Sequence, residues 1–501
     1  MSIASKNRRQ IEFGDFQTPL PLARQVCHSL KHNASCPAPM TIIEPTCGIG
    51  SFLVAATEVF PACRQFFGFD INAKYVQQTL ESLTSSFGDG ARYHIGQADF
   101  FQTDWESLIN QCKPPILVVG NPPWVTNAEL GMLRSKNLPA KSNFQEHSGI
   151  EAITGKSNFD ISEAMMIQLI NALQGIPAYL ALLCKTSVAR KVLAFSWASN
   201  MELYDARICR IDAVQSFGAV VDACLFCCRT ANGKHDQRCV VCSSLGEDSE
   251  EEQIGWRHQQ LVSDVVAFDR WEHLLGTTSY RWRSGIKHDC RRVMEFRLEP
   301  DLVNHAGETV SLEDTYLFPM LKSSDVAGGK YDSPGRCMLV TQRSVGEPTE
   351  PIRTQAPLTW KYLLRHGRLL DRRASTIYRN RARFSIFGVG PYSFAQHKVA
   401  ISGFYDNLRF AAIKPYRGKP VMLDDTCYFL PCRSAAEANC LVRLLNSPPA
   451  QELIQSLTFR DAKRRVTLSV LKQINLAALA DELGCAAEFQ SFEKQAASHR
   501  T

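Results

Sequence analysis

Asn121-Pro122-Pro123-Trp124 places an amide, a proline carbonyl and an indole within four consecutive residues. The Asn121 side-chain oxygen and the Pro122 carbonyl are two acceptors side by side, and a planar amino group has two hydrogens to give. Trp124 adds a flat surface on which a ring can lie. The stretch therefore describes a socket for an amino-bearing base. It is stiff, because each proline fixes φ and removes a backbone donor. Before it, Ile116-Leu117-Val118-Val119-Gly120 is too short for a helix and rich in β-branched residues, as a strand covered on both faces would be. The prolines end that strand, so Asn121 and Trp124 fall at its carboxyl end, where open α/β sheets hold their ligands. Paired prolines are also ordinary turn punctuation, and the surrounding residues decide between these readings.

Three further strand-like runs lead to carboxylates. Thr41-Ile42-Ile43 ends in Glu44, Phe66-Phe67-Gly68-Phe69 ends in Asp70, and a run around Arg92 to Ile95 leads to Asp99. One such acid is usually a helix cap or a solvated loop residue; four polar strand ends along one sheet edge form a site. After the first run, Pro45-Thr46-Cys47-Gly48-Ile49-Gly50-Ser51 precedes a helix from Phe52 to Val59, the strand, glycine turn and helix of a nucleotide-binding unit. The third glycine of a dinucleotide fingerprint is missing, which argues against a pyrophosphate cradle at Gly48 and Gly50. Asp70 follows Gly50 by 20 residues, where the ribose-binding acid of such folds sits. Upstream, Gln17-Thr18-Pro19 precedes an amphipathic stretch from Leu22 to Leu30, so Thr18 reads as a helix cap or a ligand contact.

The elements that must position these residues form an α/β, doubly wound, mostly parallel sheet. Asn158-Phe159-Asp160 opens a helix to Leu173, and strands follow at Tyr179 to Cys184, Ile208 to Phe217 and Val220 to Arg229, with a last one near Cys239 to Ser243. Cys227, Cys228, Cys239 and Cys242 could suggest zinc. Asn232-Gly233 between two apolar runs is a strong hairpin signal that alone would set these cysteines face to face, so no metal is expected.

At 501 residues the chain exceeds one compact core. Its apolar and charged fractions are those of a soluble protein, no run approaches the span of a membrane helix, and Met1 to Gln10 is too polar for a signal peptide. A cytoplasmic location is expected, with the 18 cysteines as free thiols. Net charge is +1 over residues 1–245, −3 over 246–300 and +8 over 301–501. This predicts a catalytic domain at 1–245, a linker with connecting helices at 246–300, marked by the acidic run Glu247 to Glu252, and a mixed α+β domain at 301–501 that meets a polyanion. Between Lys361 and Arg383 lie eight basic side chains against one acid, Asp371, with Tyr362 and Tyr378 interleaved.

Glu44-Pro45-Thr46-Cys47-Gly48-Ile49-Gly50, Asp70, Asp99 and Asn121-Pro122-Pro123-Trp124, in this order, resemble the motifs of the gamma-class S-adenosylmethionine-dependent adenine-specific DNA methyltransferases of type II restriction-modification systems. Gln17-Thr18-Pro19 resembles the segment that lines their cofactor pocket. Tyr316 to Asp325 and Phe387 to Phe394 are similar to stretches of their target-recognition regions. The resemblance implies a seven-stranded methyltransferase sheet and S-adenosyl-L-methionine bound by Thr18, Glu44, Gly48, Gly50, Asp70 and Asp99. By it, Asn121, Pro122 and Trp124 act on an adenine flipped out of double-stranded DNA. The basic domain would read the target through Arg365, Arg372, Arg373, Arg379 and Arg381. A separately encoded restriction endonuclease is an implied partner. Family members mostly carry Tyr or Phe in place of Trp124. A second aromatic is expected from Val220 to Arg229, with Phe226 the candidate. The same Asn-Pro-Pro-aromatic motif also serves methylation of RNA bases or of a protein glutamine, and the basic domain favours DNA.

Overall fold

The structure is a computed structural model and describes residues 17–88, 90–125, 160–231, 233, 237–246, 251–298, 301–462 and 464–497. The chain divides into two units, with the boundary after Val265.

The first unit is built on one sheet. Its strands are β1 (Thr41–Glu44), β2 (Gln65–Asp70), β3 (Tyr93–Gln97), β4 (Ile116–Gly120), β5 (Ala178–Lys185), β6 (Tyr204–Ile211), β7 (Ala223–Arg229), β8 (Arg238–Cys242), β9 (Glu251–Arg257) and β10 (Gln260–Val262). Seven of them lie in the order β3-β2-β1-β4-β5-β7-β6; the first five are parallel, and β7 runs antiparallel to both its neighbours. Every residue of β1 and β4 is buried, so their apolar runs are covered on both faces. Helix α1 (Leu20–His32) buries Leu22, Ala23, Val26, Cys27 and Leu30, one face at helical spacing, in the core shared with α2 (Ser51–Val59).

Among the described residues the sheet has ten strands and not the expected seven. β8 lies parallel beside β6, and β9 and β10 extend that edge antiparallel. Two expectations fall with this. β8 pairs with β6 and not with β7, so the expected hairpin does not set the cysteines of β7 against those of β8; residues 232 and 234 of its turn lie outside the described residues. Residues 251–257 and 260–262, expected in a linker, are strands of the sheet; Ile254 is buried while Glu251 reaches Arg207 of β6 at 2.6 Å. β6 also stops at Ile211, since the Asp212 carboxylate accepts from the Gln215 amide and starts a short helix, Ala213–Phe217. Asp160 caps the helix Ile161–Ala172 as read, while Asn158 and Phe159 lie outside the described residues.

Among its described residues the second unit holds two sheets. In one, β13 (Val303–Asn304), β12 (Glu295–Arg297), β15 (Arg336–Leu339), β14 (Leu317–Leu321) and β18 (Met422–Leu423) are neighbours in that order. In the other, β11 (Arg283–Ser284), β19 (Cys427–Cys432), β16 (His397–Ser402) and β17 (Ala411–Ile413) follow one another. Helices such as Pro357–Arg365 and Ala435–Leu445 make it α+β, and it begins well before residue 301. All 18 cysteines are free thiols. Among the described residues no helix is long and apolar enough to cross a membrane, and no cluster of His, Cys, Asp or Glu is arranged to hold a metal.

Candidate active site

Strand order turns the sequence pattern into a row. At the carboxyl ends of β3, β2, β1, β4 and β5 stand Asp99, Asp70, Glu44, Asn121 and Lys185, in that spatial sequence. Between β1 and β4 the chain order reverses, and this is the position where doubly wound sheets open a crevice.

The glycine loop is held by side chains. The Gly48 amide donates to Asp70 Oδ2 at 2.9 Å, and the Ile49 amide to Gln17 Oε1 at 3.0 Å. Thr79 donates its hydroxyl to the Gly48 carbonyl at 2.9 Å. A Cβ on Gly50, which has a φ of +80°, would lie 2.5 Å from Thr79 Cγ2, so only glycine fits there. The Gly48 and Ile49 amides are thus spent within the protein. Asp70 accepts one backbone amide on each oxygen, Gly48 on Oδ2 and Asn72 on Oδ1, which fixes the carboxylate. Asp99 is exposed and accepts from the Phe101 amide at 3.0 Å. Glu44 is buried and accepts from the Leu53 amide at 3.2 Å. Burial holds its carboxyl well above the usual carboxylate range, with Asp70 adding to the shift. Burial likewise pushes the Cys47 thiol up, which makes this loop cysteine a packing residue.

Thr18 is buried and follows Gln17, which holds the loop, but it does not cap α1. Pro19 occupies the cap position and no side chain takes the cap hydrogen bond. The ring sets the extended φ that starts the helix by itself.

On the other side of the crevice, the Asn121 side-chain oxygen and Pro122 are buried. The Trp124 indole donates to the Leu183 carbonyl at 3.3 Å. Its ring meets Phe217 edge-on, with centroids 5.2 Å apart. Phe226, the expected second aromatic, is fully buried in β7 between β5 and β6, so it cannot line the socket. Phe217 lies before Val220, at the end of the short helix Ala213–Phe217, where strand was expected.

No protein-family model matches the chain. The type II methyltransferase M.NspV of Nostoc sp. (strain ATCC 29411 / PCC 7524) is 44% identical over 480 residues, covering 95% of this chain and 99% of that one. The chain belongs to the type II methyltransferases. Among solved structures, the Type IIL restriction-modification enzyme MmeI in complex with DNA matches 93% of this chain with a TM-score of 0.55 at 14% identity, and this chain spans 65% of that enzyme's length. That likeness is one of fold.

In this methyltransferase the basic run of the second unit separates into two kinds of arginine. Arg373 donates to the carbonyls of Leu370, His288, Ser385 and Arg383 at 2.7 to 3.3 Å and lies 3.5 Å above the Tyr378 ring. It is a staple and not a free cation. Arg383 is paired with Asp371 at 2.8 Å, and Tyr362 is buried against Val293 and Asn304. Arg372, Arg379 and Arg381 are exposed, and their guanidinium groups make no hydrogen bond or ion pair among the described residues; Arg365, also exposed, stands 3.4 Å from Glu308.

Proposed function

We propose that the protein is a gamma-class, site-specific DNA methyltransferase that moves a methyl group from S-adenosyl-L-methionine to the exocyclic amino group of a flipped-out adenine. It would act as the modification enzyme of a restriction-modification system beside a separate endonuclease. The row Asp99, Asp70, Glu44, Asn121 along adjoining strand ends carries the reading, since on it a ribose-and-ammonium site would lie directly beside a base socket.

The residues fit this cofactor. S-adenosylmethionine has no phosphate, and the Gly48 and Ile49 amides are already bonded within the protein. Asp70 would take the ribose hydroxyls, Asp99 the adenine amino group of the cofactor and Glu44 its ammonium, with Thr18, Gly48 and Gly50 lining the methionine part. When bound, the cofactor supplies a methyl on a sulfonium. The chain's own residues prepare the acceptor. The target nitrogen is a poor nucleophile because its lone pair is delocalised into the ring. With both of its hydrogens held by Asn121 Oδ1 and the Pro122 carbonyl, it becomes more tetrahedral and is aimed at the methyl. Trp124 and Phe217 supply aromatic surface for a base taken out of the stack. The second unit, with net charge +8 over residues 301–501, would hold the duplex through Arg365, Arg372, Arg379 and Arg381.

A second reading keeps the fold and gives the amino group to an RNA base or a protein glutamine. The length shared with M.NspV, which includes the basic unit, favours DNA. Methylation-sensitive sequencing of DNA from cells expressing the protein tests this: adenine modification at one short sequence is expected, and unmodified DNA beside methylated RNA or protein would replace the reading with the second.

A further inference from the structure

β5 runs three residues beyond Leu182, the last residue it pairs with β4. Its edge is therefore open to a partner from Leu183 to Lys185, and the Asn-Pro-Pro-Trp turn lies along it. The Leu183 carbonyl holds the Trp124 indole, and Lys185 Nζ donates to the Trp124 carbonyl at 3.2 Å. β5 thus grips this one residue by side chain and by backbone. The same ammonium donates to Asp160 Oδ2 at 2.6 Å, while Asp160 Oδ1 accepts from the Ser162 amide at 3.2 Å and hydroxyl at 2.6 Å. Asp160 is buried, and the Ile161 amide reaches the Val125 carbonyl at 2.9 Å.

We infer that Lys185 is a positioning residue for methyl transfer, fixing the Trp124 backbone and through it the Asn121 and Pro122 acceptors. The inference rests on the function proposed above. An ion pair serving only the fold would need no contact with the socket, yet one of the ammonium's donors goes to the turn that carries it. Lysine suits this bridge, because a compact ammonium with rotatable donors reaches a carbonyl and a carboxylate at once.

The test compares the parent with Lys185→Arg, Lys185→Met and the double variant Lys185→Met/Asp160→Asn. The double variant avoids leaving the Asp160 carboxylate buried without its cation. A duplex oligonucleotide carrying the sequence that the parent methylates serves as substrate. Single-turnover rate, KM for the duplex, S-adenosylmethionine affinity and melting temperature are read on each preparation. In the double variant the rate is expected to fall by roughly 10- to 100-fold, as for a small misplacement of reacting groups. Cofactor affinity and KM should stay near the parent's, and Lys185→Arg should regain part of the rate. A double variant as fast as the parent overturns the inference. So does a loss of rate that only tracks lower melting temperature and cofactor affinity. A parent that methylates no DNA overturns the proposed function as well, which separates the two failures.

Discussion

Asn121 and Glu44 stand on adjacent strands, and the only residue between Asn121 and the apolar run of β4 is Gly120, where a Cβ would lie 3.4 Å from Glu44 Cγ. Their roles separate by substitution. Asn121→Ala should leave the fold and cofactor affinity near the parent's but remove most methyl transfer, because one of two acceptors at the reacting nitrogen is lost; single-turnover rates beside calorimetry check this. Asp70→Ala should weaken S-adenosylmethionine by about 1.5 to 3 kcal/mol, the worth of a hydrogen bond to a charged group, with DNA affinity much less affected. Glu44 gives a pH signature. Its carboxyl, raised by burial, binds its proton more tightly in the folded chain than in the unfolded one. Its contribution to stability is thus fully present below the ordinary carboxyl range and is lost as pH rises through the raised value. Cofactor binding should show the opposite sign, since an ammonium favours the carboxylate. Glu44→Gln is expected to raise the melting temperature of the free protein at neutral pH while weakening cofactor affinity; melts across pH and calorimetry read both.

At the scale of elements, the site was legible where each strand carries its own signal. The apolar runs ending in Glu44, Asp70 and Asn121, and the glycine loop between β1 and α2, are local patterns, and the structure lines them up. What was not legible depends on partners far apart in sequence. Lys185 reads as the end of an apolar strand until β4 stops short of it. Phe217 looked like strand because the Asp212 cap is a single residue among apolar neighbours. The pairing of β8 with β6 overrode an Asn-Gly signal that would otherwise make a hairpin. Arg373 shows the same limit within a charge run, since nothing in its spacing tells a staple from a surface cation. Arg373→Gln should destabilise the second unit, by about 1.5 to 3 kcal/mol for hydrogen bonds from a charged donor. Thermal denaturation reads that loss; an unchanged melting temperature would return Arg373 to the surface set.

Across the whole molecule, the proposed function divides the labour: the first unit would bind cofactor and base, and the second would grip the duplex. Replacing Arg372, Arg379 and Arg381 together by Gln should leave S-adenosylmethionine affinity intact, lower DNA affinity, and reduce the salt slope by about one for each lost phosphate contact. A salt titration of DNA binding beside a cofactor titration checks this, and an unchanged slope would move the duplex to another face. The most direct measurement asks where the methyl group goes. Purified protein is incubated with labelled S-adenosylmethionine and DNA from a host lacking methyltransferases, and the digested nucleosides are analysed by mass spectrometry. The account predicts label in adenine methylated at its amino group with the parent, and none with an Asn121→Ala protein that still binds cofactor. Label in cytosine, or no labelled nucleoside from a folded, cofactor-binding parent, would contradict it.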